Sequence, residues 1–93
     1  MILEKSIRFD EELEVIVDFI SADSPKKALM FYDELISKIK NIPSNPYIHR
    51  KRESTNDEKI RELIFKGYVI PFYIDIENSK IVILGIFNQN LWG

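Results

Sequence analysis

Residues 59–87 constrain this chain more than any other stretch. They read KIRELIFKGYVIPFYIDIENSKIVILGIF. Three runs rich in Ile, Val, Phe and Tyr are separated by two polar breaks, Lys66-Gly67 and Glu77-Asn78-Ser79. Beta-branched and aromatic side chains favour the pleated, half-buried surface of a sheet, and short breaks holding Gly or Asn favour hairpins. The stretch predicts a three-stranded antiparallel meander with strands near 59–65, 68–76 and 80–87. Tyr68, Ile70, Phe72, Ile74 and Ile76 form one face of the second strand. Pro71 falls on its other face, and a proline has no N–H for the ladder, so a bulge or an unpaired position is expected there. The third strand is apolar on both faces and is the candidate for the central position.

Such a sheet has an apolar face that the first half of the chain must cover. Ile2 to Arg8 reads as an edge strand whose charges discourage strand-to-strand aggregation. Asp10 to Ser21 follows a helical period, with Phe9, Leu13, Ile16 and Ile20 on one stripe, widened by Val17. Asp10, Glu11 and Glu12 place negative charge in the first turn, where it suits the helix dipole. Val15 and Phe19 lie off the stripe as a second apolar flank. Ser21-Ala22-Asp23 breaks the pattern, and Ser24-Pro25 reads as an N-cap followed by a proline at the first helical position. A second helix carries Ala28, Tyr32, Leu35, Ile39 and Ile42, flanked by Phe31 and Ile36, and Pro43 ends it. The result is a helical hairpin lying on a sheet, an α+β order of β-α-α-β-β-β, with residues 1–93 read as one domain.

Residues 41–57 (NIPSNPYIHRKRESTND) hold two prolines and a basic cluster and read as an irregular loop, longer than the usual connection. Charge is spread unevenly around it. Residues 1–48 carry six Lys/Arg against nine Asp/Glu, residues 49–66 carry six against four, and residues 67–93 carry one against two. The formal net charge of −2 gives no global pull towards nucleic acid, so any basic patch is local, centred on His49-Arg50-Lys51-Arg52. The absence of cysteine excludes disulfides and thiolate metal sites. There is no Gly-rich phosphate loop, no metal-ligand cluster and no Ser/His/Asp set, and no cofactor is expected. No apolar run approaches the ~20 residues of a membrane span, and no signal-peptide pattern opens the chain. These features predict a soluble, cytoplasmic protein with no membrane contact.

The chain resembles the RelE/ParE toxin superfamily. Ala28-x-x-Phe31-x-x-x-Leu35-x-x-x-Ile39-x-x-Ile42-Pro43 looks like its second-helix signature, and Ile60-Arg61-Glu62-Leu63 like its IREL strand. Gly67-Tyr68 through Tyr73 and Ile81 to Phe87 look like its last two strands. The resemblance implies the toxin of a type II toxin–antitoxin system, with growth inhibition, plasmid stabilisation and a cognate antitoxin that wraps and neutralises it. ParE-like members of the superfamily poison DNA gyrase, RelE-like members cleave mRNA on the ribosome, and a degenerate member that is no longer toxic is a further alternative.

Metal-free RNA cleavage needs a base, cations for the developing phosphorane charge and an acid. If the chain is RelE-like, the resemblance assigns these roles to His49, Lys51, Arg52 and Arg61. Two departures point to the ParE-like branch. Many relatives place a His and an Arg after the last strand, whereas this chain reads Ile86-Phe87-Asn88-Gln89-Asn90, and amides do not shuttle protons near neutral pH. Val69 stands where relatives often have an arginine. Arg50, Arg52, Arg61 and Trp92 are the candidates for contact with the antitoxin or the target. Each has a plainer reading: His49 as a solvated loop residue, residues 50–52 as an exposed loop, Glu58 and Glu62 as surface charges. An arginine on the otherwise apolar face of Arg61 must be paired or face a cleft, because burying an unpaired guanidinium is costly.

Overall fold

The computed structural model describes residues 1–52 and 55–88. In chain order the elements are β1 (Ile2–Lys5), α1 (Ile7–Asp23), α2 (Pro25–Lys40), two 3-10 turns (Ile42–Ser44 and Pro46–Ile48), β2 (Arg50–Lys51), β3 (Ile60–Phe65), β4 (Tyr68–Asp75), β5 (Lys80–Ile83) and β6 (Phe87–Asn88). The helical hairpin covers one face of a mixed sheet, the expected α+β arrangement. No helix among the described residues is long and apolar enough to cross a membrane.

The helices are longer than their apolar periods suggest, because serines start them early. Ser6 is extended, and its side chain accepts a hydrogen bond from the Phe9 N–H, so α1 begins at Ile7. The expected three-residue break between the helices is one residue. Ser24 donates its N–H to Ile20 O (2.9 Å), closing α1, and its hydroxyl accepts from Lys27 N–H (3.2 Å), opening α2 at Pro25. α2 ends at Lys40, before Pro43, and Ile42 is buried in the 3-10 turn that follows. Phe31, not Tyr32, occupies the core at its level of α2; Tyr32 is exposed. Phe31 packs against Phe65 and edge-on to Tyr68, with both centroid distances 5.5 Å. Val15 and Phe19 form the exposed second flank of α1.

The sheet runs β1-β5-β4-β3-β2, with β6 also paired to β4. The central strand is therefore β4, not the third meander strand. β1 lies parallel to β5, and the other pairings are antiparallel. Lys66 and Gly67, both at positive φ, make the two-residue turn that pairs Phe65 with Tyr68. Ile70, Phe72, Ile74, Leu63, Phe65, Ile81 and Ile83 meet Phe9, Leu13, Leu35 and Ile39 in one core. Each such side chain contributes on the order of 1.5–3 kcal/mol on burial. Ile76 lies beyond the end of β4 and is exposed.

The disturbance expected at Pro71 is present, on the neighbouring strand. Against β3 the register is unbroken, with Pro71 opposite Glu62. On the other side Phe72 faces Ile83 and Val69 faces Phe87, so residues 70–71 stand opposite residues 84–86. That extra residue is a β-bulge, and it divides the expected strand 80–87 into β5 and β6. The Leu84 N–H donates to Pro71 O (2.9 Å), but Pro71 has no N–H to return. The Ser6 hydroxyl donates to Leu84 O instead (3.1 Å). The Ile86 N–H, turned out of the ladder, donates to Glu12 Oε1 (3.2 Å). A Cβ on Gly85 would stand 2.6 Å from that same oxygen, so the position favours the residue without one.

Candidate functional site

Residues 41–52 are more regular than the composition of this stretch suggests. Two 3-10 turns, each with a proline near its start, carry the chain to an edge strand, β2, in which Arg50 pairs with Glu62 and Lys51 with Arg61. Side chains directly opposite one another share a face, and successive residues alternate. Arg50 and Glu62 therefore lie on the face away from the helices, together with Pro71 and Val69. Lys51 and Arg61 lie on the other face, level with Phe72.

Glu62 is the centre of the outer face. It is only 7% exposed, a correction to its reading as a surface charge. Arg50 Nε donates to Glu62 Oε1 at 2.9 Å, and Arg52 Nη1 to Oε2 at 2.7 Å, so both carboxylate oxygens are engaged. These are charge-assisted bonds in partly desolvated surroundings, the geometry in which a buried carboxylate is tolerated. The Arg52 guanidinium also lies over the Phe87 ring, 5.2 Å from its centroid. Its backbone N–H donates to Ile60 O (3.2 Å), and Thr55 Oγ1 donates to its carbonyl (3.2 Å). A cleft of about 210 Å³ opens beside it, lined by Arg8, Glu12, Thr55, Pro71 and Leu84 among others.

On the opposite face Arg61 is satisfied by backbone. Its Nε donates to Glu58 O (2.8 Å) and its Nη1 to His49 O (3.1 Å), and its guanidinium lies over Tyr47 at 5.2 Å. It ties the segment 47–49 to β3. His49 is half-buried, not solvated, and stands edge-on to Phe72 with centroids 5.4 Å apart. Burial holds its imidazole below the ordinary value of 6.5, which favours the neutral ring. Lys51 makes a 3.8 Å surface ion pair with Glu58.

The sheet thus divides the sequence-predicted residues. It brings His49, Lys51 and Arg61 to one face and Arg50 and Arg52 to the other. Trp92 lies outside the described residues. Glu12 was read only as a helix-dipole charge, and nothing in its spacing signals that it reaches the bulge. Among the described residues no group of three His, Cys, Asp or Glu side chains could hold a metal ion.

A family model described as "ParE toxin of type II toxin-antitoxin system, parDE" matches residues 3–90. A search of curated protein sequences gives no significant match. Among solved structures, the chain is similar to a chromosomal ParDE toxin–antitoxin system from P. aeruginosa, with a TM-score of 0.75, 21% identity and 95% of each chain covered. That likeness supports the fold, and the family match spans nearly the whole sequence. The chain belongs to the ParE toxin family of type II toxin–antitoxin systems.

Proposed function

We propose that this chain inhibits growth in the cytoplasm by binding a macromolecular target such as DNA gyrase, and that a cognate antitoxin neutralises it. The observation that carries this reading is the commitment of Arg50 and Arg52 to Glu62. Guanidinium groups bound to a carboxylate are poorly placed to stabilise a developing phosphorane. His49, Lys51 and Arg61 stand on the other side of the sheet, so Arg50 and Arg52 do not converge with His49 on one reacting phosphate. A neutral His49 packed on Phe72 fits a structural role.

The rim formed by Tyr47, Ile48, Lys51 and Arg61 suits a protein ligand. Tyr47 and Ile48 are exposed apolar side chains beside two cations, a combination that complements an acidic, amphipathic antitoxin segment. The RelE-like alternative draws on one specific observation, the adjacency of His49, Lys51 and Arg61 on that rim. Induced expression, with and without the neighbouring open reading frame, separates the two. Growth arrest with DNA damage, relieved by the neighbouring product, supports the binding reading. Arrest of translation with cleaved mRNA supports the alternative and defeats the first.

A further inference from the structure

The two helices differ sharply in charge. α1 carries one arginine against six acidic residues, and α2 carries four lysines against two. On α1, Glu11, Glu14 and Asp18 are spaced as one exposed row, and none of them makes an ion pair among the described residues. Beside that row stand Val15 and Phe19, both exposed, the latter 79%. They form one wall of an apolar groove of about 450 Å³, and Tyr68 and Ile86 contribute to the other. On α2, Lys26 and Lys27 occupy the first turn, where the positive end of the helix dipole disfavours a cation. Leu29, 62% exposed, and Met30 follow on the side of Lys26, at spacings of three and four. Lys26 has no ion pair among the described residues, and Lys27 has only a 3.8 Å approach to the exposed Asp23. Each patch therefore joins exposed apolar side chains to charges of one sign, and the two signs are opposite. Phe19 and Leu29 stand equally far before and after Ser24, so both patches lie towards the hairpin turn.

We propose that a second copy of this chain covers the groove, in a two-fold dimer where the start of α2 of one protomer docks on the α1 flank of its partner. Leu29 and Met30 enter the groove against Val15 and Phe19, and Lys26 and Lys27 face the row Glu11, Glu14 and Asp18. Two-fold symmetry makes this contact twice in one interface. The charges select the pairing, because two α1 flanks or two α2 starts would set like charges against each other. Lysines that are unfavourable at the head of α2 in the lone chain gain carboxylate partners in the dimer. Met30 is unbranched and conforms to an irregular groove. The interface shares no residue with the rim of Tyr47, Ile48, Lys51 and Arg61, and the inference does not rest on the identity of the target.

Sedimentation equilibrium of the purified full-length chain should show monomers and dimers in exchange, with the average mass rising towards twice that of the chain as concentration increases. Added salt should favour the monomer. Phe19→Ser and Leu29→Ser, both at exposed positions, should each weaken the dimer roughly tenfold or more with the circular dichroism spectrum unchanged. Charge reversal separates this dimer from any other. A chain carrying Glu11→Lys and Asp18→Lys should lose self-association, and so should a chain carrying Lys26→Glu and Lys27→Glu. Mixed in equal amounts, the two should associate again, because each offers the other the charge that its own copies lack. The proposal is overturned if the unsubstituted chain is a monomer at every concentration, which would assign the groove to a different occupant. It is also overturned if neither serine substitution weakens the dimer, or if the mixture associates no better than its two components.

Discussion

The Ser6 hydroxyl and the Leu84 carbonyl are hydrogen-bonded across 78 positions of sequence, at 3.1 Å. The contact exists because Pro71, the strand neighbour of Leu84, has no N–H to donate. The same hydroxyl caps α1 by accepting from the Phe9 N–H. Ser6→Ala removes a helix cap worth ~1 kcal/mol and orphans a half-buried carbonyl at a cost of ~1 kcal/mol or more. Urea denaturation should show a loss of about 2 kcal/mol with an unchanged slope. Ser6→Thr, which keeps the hydroxyl, should lose far less. Equal losses for both would mean the hydroxyl is not the cause.

Glu62 should be the position where stability and charge are most tightly linked. Removing one member of a fully buried ion pair costs ~3–5 kcal/mol. Here the Arg50 side chain is 55% exposed and can rehydrate, so Glu62→Ala should cost about 2 kcal/mol. It should also release two guanidinium groups. Elution from immobilised heparin should move to higher salt, and the salt dependence should steepen by roughly one to two ion contacts. No change in elution would show that Arg50 and Arg52 are already free in solution.

How much of this was legible beforehand varies by element, for physical reasons. The two hairpin breaks and the β4 face of Ile70, Phe72 and Ile74 followed from period-two patterning. The helices followed from theirs, but the choice between Phe31 and Tyr32 did not. Both fit a 3.6-residue stripe, and only packing against Phe65 and Tyr68 decides. Ser24 concealed the length of both helices because one residue performs two caps. The burial of Glu62 was not legible at all. It arises from a register that sets it opposite Arg50 across an edge pair, ten to twelve positions away in sequence. The basic run at 49–52 is visible in the sequence, but not that the sheet parts its members.

His49 gives a pH signature. Its pKa is lowered in the folded chain by burial, so between the folded and the ordinary unfolded value the unfolded state binds more proton. Its contribution to stability is complete above about 6.5 and is lost as pH falls below it. Nuclear magnetic resonance titration of the only histidine should give a midpoint under 6.5. In a His49→Asn variant, denaturation midpoints should depend less on pH between roughly 7 and 5. A midpoint at or above the ordinary value would contradict the packing of His49 against Phe72.

Gly85 should be coupled to Glu12. A methyl group at position 85 displaces the Glu12 carboxylate, which then loses the Ile86 N–H and its 3.5 Å approach to Arg8. The displaced group is the end of a flexible side chain, so Gly85→Ala should cost only about 1 kcal/mol, the value of one hydrogen bond. In a Glu12→Ala background the same substitution should cost clearly less, a non-additivity expected of residues in contact. Additive losses in the double-mutant cycle would place the strain elsewhere.

Under the proposed function this ParE-family chain engages a target and does not cut RNA. Supercoiling of relaxed plasmid by purified gyrase, with the protein added in increasing molar ratio, tests it most directly. Supercoiling should fall as the protein is added, while mRNA in a translating extract stays intact. Unchanged supercoiling at large molar excess, together with mRNA cleavage that disappears in Arg61→Ala, would contradict it.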